Sequence, residues 1–383
     1  MFIDSQTLRQ FDQPNTLAIL ASYPTKGHVH DKNVDALASF THSRVIGLHP
    51  TKNNKIIIFT HQVGDAKNEK YPNVLVLRIF KKDHPLSFLT VYNLLSQFKN
   101  LKHLLIEYEF STFGGPQTTL AFIPFLSSLK NLHIKTTIEL HQVLLSLQKL
   151  KGHLGYEDKD LRTNLFNHAL AYFYKSIGQA ADHITVLEEH LKTLLSQHVD
   201  PNKIHYLPYK YQKFNSKISQ QEAKKTLNLK SNDFVVLLFG YITWYKGSDI
   251  FIKAARLLAG QKNIKLILAG GQSHNQKHKK HYQKWYQKTI SSVSSTPNLT
   301  HTSFVSEDQI PIYYSAADLV VFPYRTFMAT SGPLSICLSQ NKPFILSKKL
   351  LPYLKSPDIH TSLGDPKFSK HLFFDTNPRS LAT

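Results

Sequence analysis

The chain of 383 residues holds a single cysteine, Cys337, so no internal disulfide can form and stability has to come from packing. One cysteine also fits a reducing compartment. Long apolar runs are missing: stretches such as Leu120 to Leu126 fall far below the roughly 20 residues that a membrane span needs. The first residues, MFIDSQTLRQFDQPN, lack the basic start and apolar core of a secretory signal. The expectation is a cytoplasmic protein, with peripheral contact at the inner face of a membrane left open. The 21 histidines are scattered, without paired spacing on one helical face and without cysteine partners, so neither a metal site nor a cofactor is expected. Acidic residues are scarce, 26 against 46 lysines and arginines, for a formal charge of +20. That balance suits nucleotide phosphates, polyanions or an anionic membrane and does not choose among them.

What the chain does have is an alternation of short apolar runs, rich in Val, Ile and Phe, with longer helical patterns. Continuous apolar strands of this kind belong to parallel sheets covered on both faces. Strands are expected at 17–21, 56–59, 74–80, 103–108, 133–139 and 183–187, with helices at 34–42, 86–99, 118–129 and 162–180. From Tyr206 to Asn232 the pattern dissolves into Tyr, Lys, Gln, Ser and Asn around one short helix at 220–227. A second series follows at 234–239, 264–269, 299–304, 319–322 and 343–346. Since one core stops growing near 250 to 300 residues, two domains are expected: 1–210, a linker at 211–232, and 233–383. The fold class is α/β with two doubly wound domains, whose strand C-termini would line a common cleft. The last residues, FFDTNPRSLAT, read as a strand, a turn and a helix that stops after a few residues, which suggests truncation.

The segment LLFGYITWYKG, Leu237 to Gly247, carries the clearest chemistry. A strand that ends in a glycine turn and opens a helix is where α/β proteins hold phosphates, and Lys246 adds a mobile cation there. A solvent-exposed lysine at a helix start is the plainer alternative. The run SHNQKHKKHYQKWYQK, Ser273 to Lys288, is basic and aromatic. Its Tyr282, Trp285 and Tyr286 at i, i+3 and i+4 read better as a core stripe with a solvated back than as a membrane or nucleic-acid face.

Four segments in register, FGYITWYKG (239–247), KLILAGG (265–271), VSEDQIPIYYSAADLVVFPY (305–324) and SGPLSICLSQNKPFILS (331–347), resemble the retaining group-1 glycosyltransferases of GT-B fold. The first half is similar to one branch of that family through SYPTKGHVH (22–30), IEYEFSTFGG (106–115) and TTIELHQV (136–143). The resemblance covers roughly residues 16 to 380 and implies two Rossmann-like domains facing a central cleft. It implies transfer of a hexose from a nucleotide diphosphate sugar to a hydroxyl acceptor with retention.

By the same resemblance Lys246 would hold the donor diphosphate, a contact that strengthens as the leaving group gains charge. Tyr241 stands where the family usually has an arginine, and Arg325 is the nearest replacement in sequence. The start of the next helix, Thr330, Ser331, Gly332, Pro333 and Leu334, would offer backbone N–H groups to the diphosphate; an ordinary cap by Thr330 or Ser331 fits equally well. The two glutamates that the family commonly places eight positions apart are absent. Met328 and Ile336, or Ala329 and Cys337, stand in their place, and no Asp or Glu occurs between Asp318 and Asp358.

In the first half His141 would lie beside the transferred sugar, with Glu139 on the same side of its strand. Glu109, near Gly114 and Gly115, would bind acceptor hydroxyls, and Gly27, between Lys26 and His28, keeps one glycine of a family pair. His141, Lys246 and Glu109 are thus the expected catalytic residues. Gly27, Tyr241, Lys246, Arg325, Ser331, Gly332, Pro333 and Leu334 are the expected donor-binding set. Without a carboxylate at the anomeric carbon, a front-face mechanism follows, in which the leaving phosphate takes the acceptor proton. Two other readings compete: a degenerate sugar-nucleotide or partner-binding module, and a basic polyanion-binding protein. Nucleic acid is not expected as a partner.

Overall fold

The computed structural model describes residues 3–29, 34–110, 112–155, 162–208 and 218–383. Residues 211–217 of the expected linker, the two residues before them, His30 of the SYPTKGHVH segment and Ser111 of the IEYEFSTFGG segment lie outside the described residues. Two compact units result. The first is Met1–Leu145, Phe166–Leu187 and Leu191–Leu207; the second is Ser146–Leu165, Glu188–His190 and Pro208–Thr383. Two short pieces of the first half therefore pack with the second unit.

The first unit holds an eight-stranded sheet built from β1 (Leu17–Leu20), β2 (Ile56–His61), β3 (Glu69–Lys70), β4 (Val74–Phe80), β5 (His103–Tyr108), β6 (Lys135–Leu140), β7 (His183–Val186) and β8 (Ile204–Tyr206). Its order is β3-β4-β2-β1-β5-β6-β7-β8, parallel throughout except for the short antiparallel edge strand β3. Ile56, Ile57, Ile58 and Phe59 are all fully buried, as a strand covered on both faces requires. The second unit holds six parallel strands, β9 (Phe234–Phe239), β10 (Ile264–Ala269), β11 (Leu299–His301), β12 (Leu319–Phe322), β13 (Phe344–Ser347) and β14 (Phe373–Phe374), in the order β11-β10-β9-β12-β13-β14. Val235, Leu237 and Phe239 pack into one core, while Val236 and Leu238 pack into the other, the period-two signature of a strand between two helical layers.

In both sheets the order reverses at the first strand of the series: β1 sits between β2 and β5, and β9 between β10 and β12. Successive crossovers leave these strands toward opposite faces, which opens a crevice at their C-terminal ends where ligands of such sheets bind. The segments that carry the expected site residues, after β1, β5, β6, β9 and β12, all follow such ends.

Element ends differ from expectation for local reasons. His133 takes a left-handed φ of 52°, so β6 starts at Lys135, and Ser303 at φ 59° cuts β11 short. Asp35 accepts the Ala38 N–H and moves the first helix to Ala36–Gly47. Pro116 at the first helical position moves the start of the helix expected at 118–129 to Pro116–Leu129. On the Lys280–Ile290 helix Tyr282 and Tyr286 are buried and Trp285 packs beside them, so the aromatic stripe is core. Among the described residues no helix is long and apolar enough to cross a membrane.

Candidate functional site

In the second unit β9 delivers the chain into Gly240, at φ +116°. A Cβ at Gly240 would stand 2.9 Å from Lys246 Nζ and 3.0 Å from Pro333 Cγ. The positive φ favours glycine, a side chain here would push the lysine's end aside, and the same geometry places the lysine ammonium near the first turn of the Gly332–Ser339 helix. Between them the chain makes a single tight turn, Trp244–Lys246, closed by Gly247 at φ +74°. A Cβ on Gly247 would lie 2.0 Å from the Pro323 carbonyl oxygen, so this turn is docked on the segment that leaves β12.

Lys246 forms no ion pair among the described residues, and Tyr245 and Tyr324 each present a ring 6.0 Å from Nζ. Burial pushes its pKa down to about 8. Tyr245 is in turn covered by the edge of His153, at 5.2 Å between ring centroids. Burial, then the charges of Lys279 and His281, hold His153 at about 4 and keep this contact neutral.

Arg325 is engaged with the turn that carries Lys246. Its Nη1 and Nη2 donate to the two carboxylate oxygens of Asp249 at 2.8 and 2.7 Å, and Nη1 also donates to the Trp244 carbonyl at 2.5 Å. The guanidinium is paired with Asp249, and these contacts use three of its five N–H donors. Tyr241 is half-buried at the end of β9.

The Gly332–Ser339 helix start is also more self-sufficient than expected. Ser331 is its N-cap: Oγ accepts from the Leu334 N–H at 3.3 Å and lies 3.0 Å from the Tyr324 hydroxyl, and the Ser331 N–H donates to the Tyr353 hydroxyl at 2.9 Å. Pro333 has no N–H. The anion-binding capacity read into residues 330–334 therefore contracts toward Gly332, where a built Cβ meets no atom within 4 Å from the described residues outside its own helix and chain neighbours. Thr243 Oγ1 and Thr330 Oγ1 are buried without a hydrogen-bond partner among the described residues. Ile336 and Cys337, at the positions of the absent glutamate, are buried in the core.

In the first unit β5 and β6 pair in register, so Glu107 faces Glu139 across the ladder. Both carboxylates are fully buried. Arg44, on the Ala36–Gly47 helix, bridges them: Nε lies 3.0 Å from Glu107 Oε1 and Nη2 is in direct contact with Glu139 Oε1. His141 Nε2 lies 3.3 Å from that same Glu139 oxygen, an ion-pair distance whose alignment falls short of a hydrogen bond. Burial favours the neutral form of Glu139, but the imidazole of His141 and then the guanidinium of Arg44 outweigh it and hold the carboxyl at about 2. Burial likewise opposes protonation of His141, and Glu139, Glu107 and Glu109 together overcome it, raising its pKa. Glu107 goes the other way, raised by burial more than Arg44 and His141 lower it. Thr41 Oγ1, with one proton to give, is 2.9 Å from the Leu37 carbonyl and in contact with Glu107 Oε2.

Glu109 follows β5, tied to Thr112 by its N–H at 3.1 Å and its carbonyl at 2.8 Å. The glycine turn beside it is pinned: the Gly115 N–H donates to Asp83 Oδ1 at 2.7 Å. Gly27, at φ +80°, has no protein atom within 4 Å of a built Cβ. Arg44 and Glu107 were not among the expected site residues. The signal was present, because an acidic residue inside LLIEY has to find a cation once the strand is buried.

Residues 219–338 match the family of group 1 glycosyl transferases. The second unit carries a glycosyltransferase domain. The chain is thereby a transferase enzyme, and its matched segment contains Tyr241, Lys246, Arg325 and the 331–334 helix start. No curated protein matches the sequence. Among solved structures, sucrose-phosphate synthase from Thermosynechococcus elongatus aligns at TM-score 0.68 and 14% identity, over 96% of this chain and 88% of that one. Anabaena HepE in complex with UDP-glucose aligns at 0.59 and 15%, over 87% and 80%. WaaG, a glycosyltransferase involved in lipopolysaccharide biosynthesis, aligns at 0.60 and 12%, over 96% and 89%. These likenesses show the GT-B fold for the pair of parallel-sheet units.

Proposed function

We propose that the enzyme transfers a hexose from a nucleotide diphosphate sugar to a hydroxyl acceptor, with retention at the anomeric carbon. The observation that carries this reading is the ammonium of the half-buried Lys246 set beside Gly240 and near Pro333 at the start of the Gly332–Ser339 helix, inside the matched segment. A cation in a poorly hydrated site gains more from a diphosphate that acquires charge during bond breaking than from the bound sugar nucleotide. Thr243 and Thr330 bring hydroxyls that lack protein partners, and Gly332 leaves space beside its backbone. That HepE has been solved with UDP-glucose favours a uridine donor as the first probe.

In this reading His141, charged against Glu139, lies beside the transferred sugar, and Glu109 serves the acceptor. The glycosidic bond to the β-phosphate breaks, the acceptor oxygen bonds to the anomeric carbon on the same face, and the acceptor proton passes to a phosphate oxygen. Tyr241, the spent donors of Ser331 and the missing carboxylates support a second reading, a sugar-nucleotide-binding protein without transfer. Incubation with UDP-glucose and the corresponding GDP and ADP sugars separates the two. Release of nucleoside diphosphate that disappears in Lys246→Ala supports transfer; tight binding with no release by either protein supports the second.

A further inference from the structure

Arg325 lies three residues beyond β12 and touches the segment that carries Lys246 at its beginning, middle and end. Its Nη1 donates to the Trp244 carbonyl, its backbone N–H donates to the Tyr245 carbonyl at 2.7 Å, and its fork grips Asp249 in the first turn of the Ser248–Leu257 helix. The guanidinium carbon also sits 4.9 Å from the Trp244 ring. A planar cation with a fork of donors can make these contacts at once, whereas a lysine, a point charge on a flexible stem, cannot.

We propose that Arg325 is a positioning residue for Lys246: it fixes the Trp244–Lys246 turn so that the lysine ammonium is kept beside Gly240, near Pro333. Its charge is matched by Asp249, so its contribution is geometric. Asp249 is the other half of the device. A long lysine side chain left to itself carries its ammonium to solvent, and here the backbone on either side is immobilised instead. The groups that face Nζ are the rings of Tyr245 and Tyr324, Gly240 and Pro333, none of which carries charge. The relevance to catalysis rests on the reading of Lys246 given above; the positioning does not.

The test uses the full-length protein with its lysines reductively methylated with carbon-13, the Lys246 resonance being the one lost in Lys246→Arg. Wild type should titrate near 8, and in Arg325→Ala and Asp249→Asn the midpoint should rise by about one unit or more toward 10.5, with the fold retained by circular dichroism. Arg325→Lys, which keeps the charge and loses the fork, should behave as Arg325→Ala does, and UDP-glucose should bind about tenfold more weakly to both. A midpoint unchanged in Asp249→Asn and in whichever Arg325 variants fold overturns the proposal. If Lys246→Ala binds UDP-glucose as wild type does while the midpoint still moves in Arg325→Ala, the diphosphate role fails and the positioning stands.

Discussion

At the scale of the residue, Lys246 and Glu139 illustrate opposite outcomes of burial. Lys246 meets no counter-charge among the described residues, and burial puts its folded pKa at about 8, below the unfolded value of 10.5. The folded protein releases that proton first, and stability rises with pH between about 8 and 10.5 as this cost disappears. Donor binding has the reverse sign, because a diphosphate needs the ammonium. UDP-glucose affinity should fall as pH rises above about 8, with proton uptake on binding visible by calorimetry in two buffers, and Lys246→Arg should abolish that alkaline limb. Glu139 is held at about 2 against an ordinary 4.5. Its stabilisation is complete above 4.5 and lost as pH falls through 2. Glu139→Gln leaves Arg44 and His141 without their shared counter-charge, so it should cost about 3 to 5 kcal/mol in urea denaturation and lower the His141 pKa read by proton NMR. Of these residues the sequence offered Lys246 and His141 through their positions after strands, and Glu139 through its place on the same side of the strand as His141. Arg44 was illegible, since its partners arrive from β5 and β6, and nothing in the helix 36–47 names them.

At the scale of the element, the strands were legible because a strand buried on both faces writes a continuous apolar run, as in Ile56–Phe59 and Phe234–Phe239. The two-residue β3 and three-residue β8 have no such run and emerge only through pairing with β4 and β7. The pairing of Arg325 was hidden for the same reason: a list of charges does not reveal that Asp249 closes on it from the Ser248–Leu257 helix. Turns are where the elements depend on single residues. Gly27 and Gly247 both have left-handed φ, of 80° and 74°, but only the second is crowded. Gly27→Ala should therefore cost about 1 kcal/mol, the strain of the conformation alone. Gly247→Ala adds a clash with the Pro323 carbonyl, so about 3 to 4 kcal/mol is expected, together with a rise in donor KM as the turn shifts. Parallel urea titrations of the two variants check the difference, and equal costs would mean that the turn is not docked on residues 323–325.

At the scale of the whole molecule, the GT-B fold leaves the donor open, because sites and not folds choose substrates. The chain contains a convenient reporter on that choice. Both tryptophans, Trp244 and Trp285, belong to the second unit, one in the Lys246 turn under Arg325 and the other packed against the core on the Lys280–Ile290 helix. Tryptophan emission therefore follows the second unit alone. A sugar nucleotide that engages Lys246 should change the emission of wild type and of Trp285→Phe and leave Trp244→Phe silent. At a hundred times its dissociation constant it should raise the unfolding free energy of that signal by about 2.7 kcal/mol, and Lys246→Ala should show neither effect. Charge adds a kinetic consequence. With a formal +20 on the chain, the association rate of an anionic donor should fall as salt is raised from 20 to about 300 mM, because steering is screened while the buried contact to Lys246 is not. A dissociation rate that stays nearly constant over that range would place the recognition at the buried lysine; a donor whose affinity vanished with salt would be held by the surface charge instead.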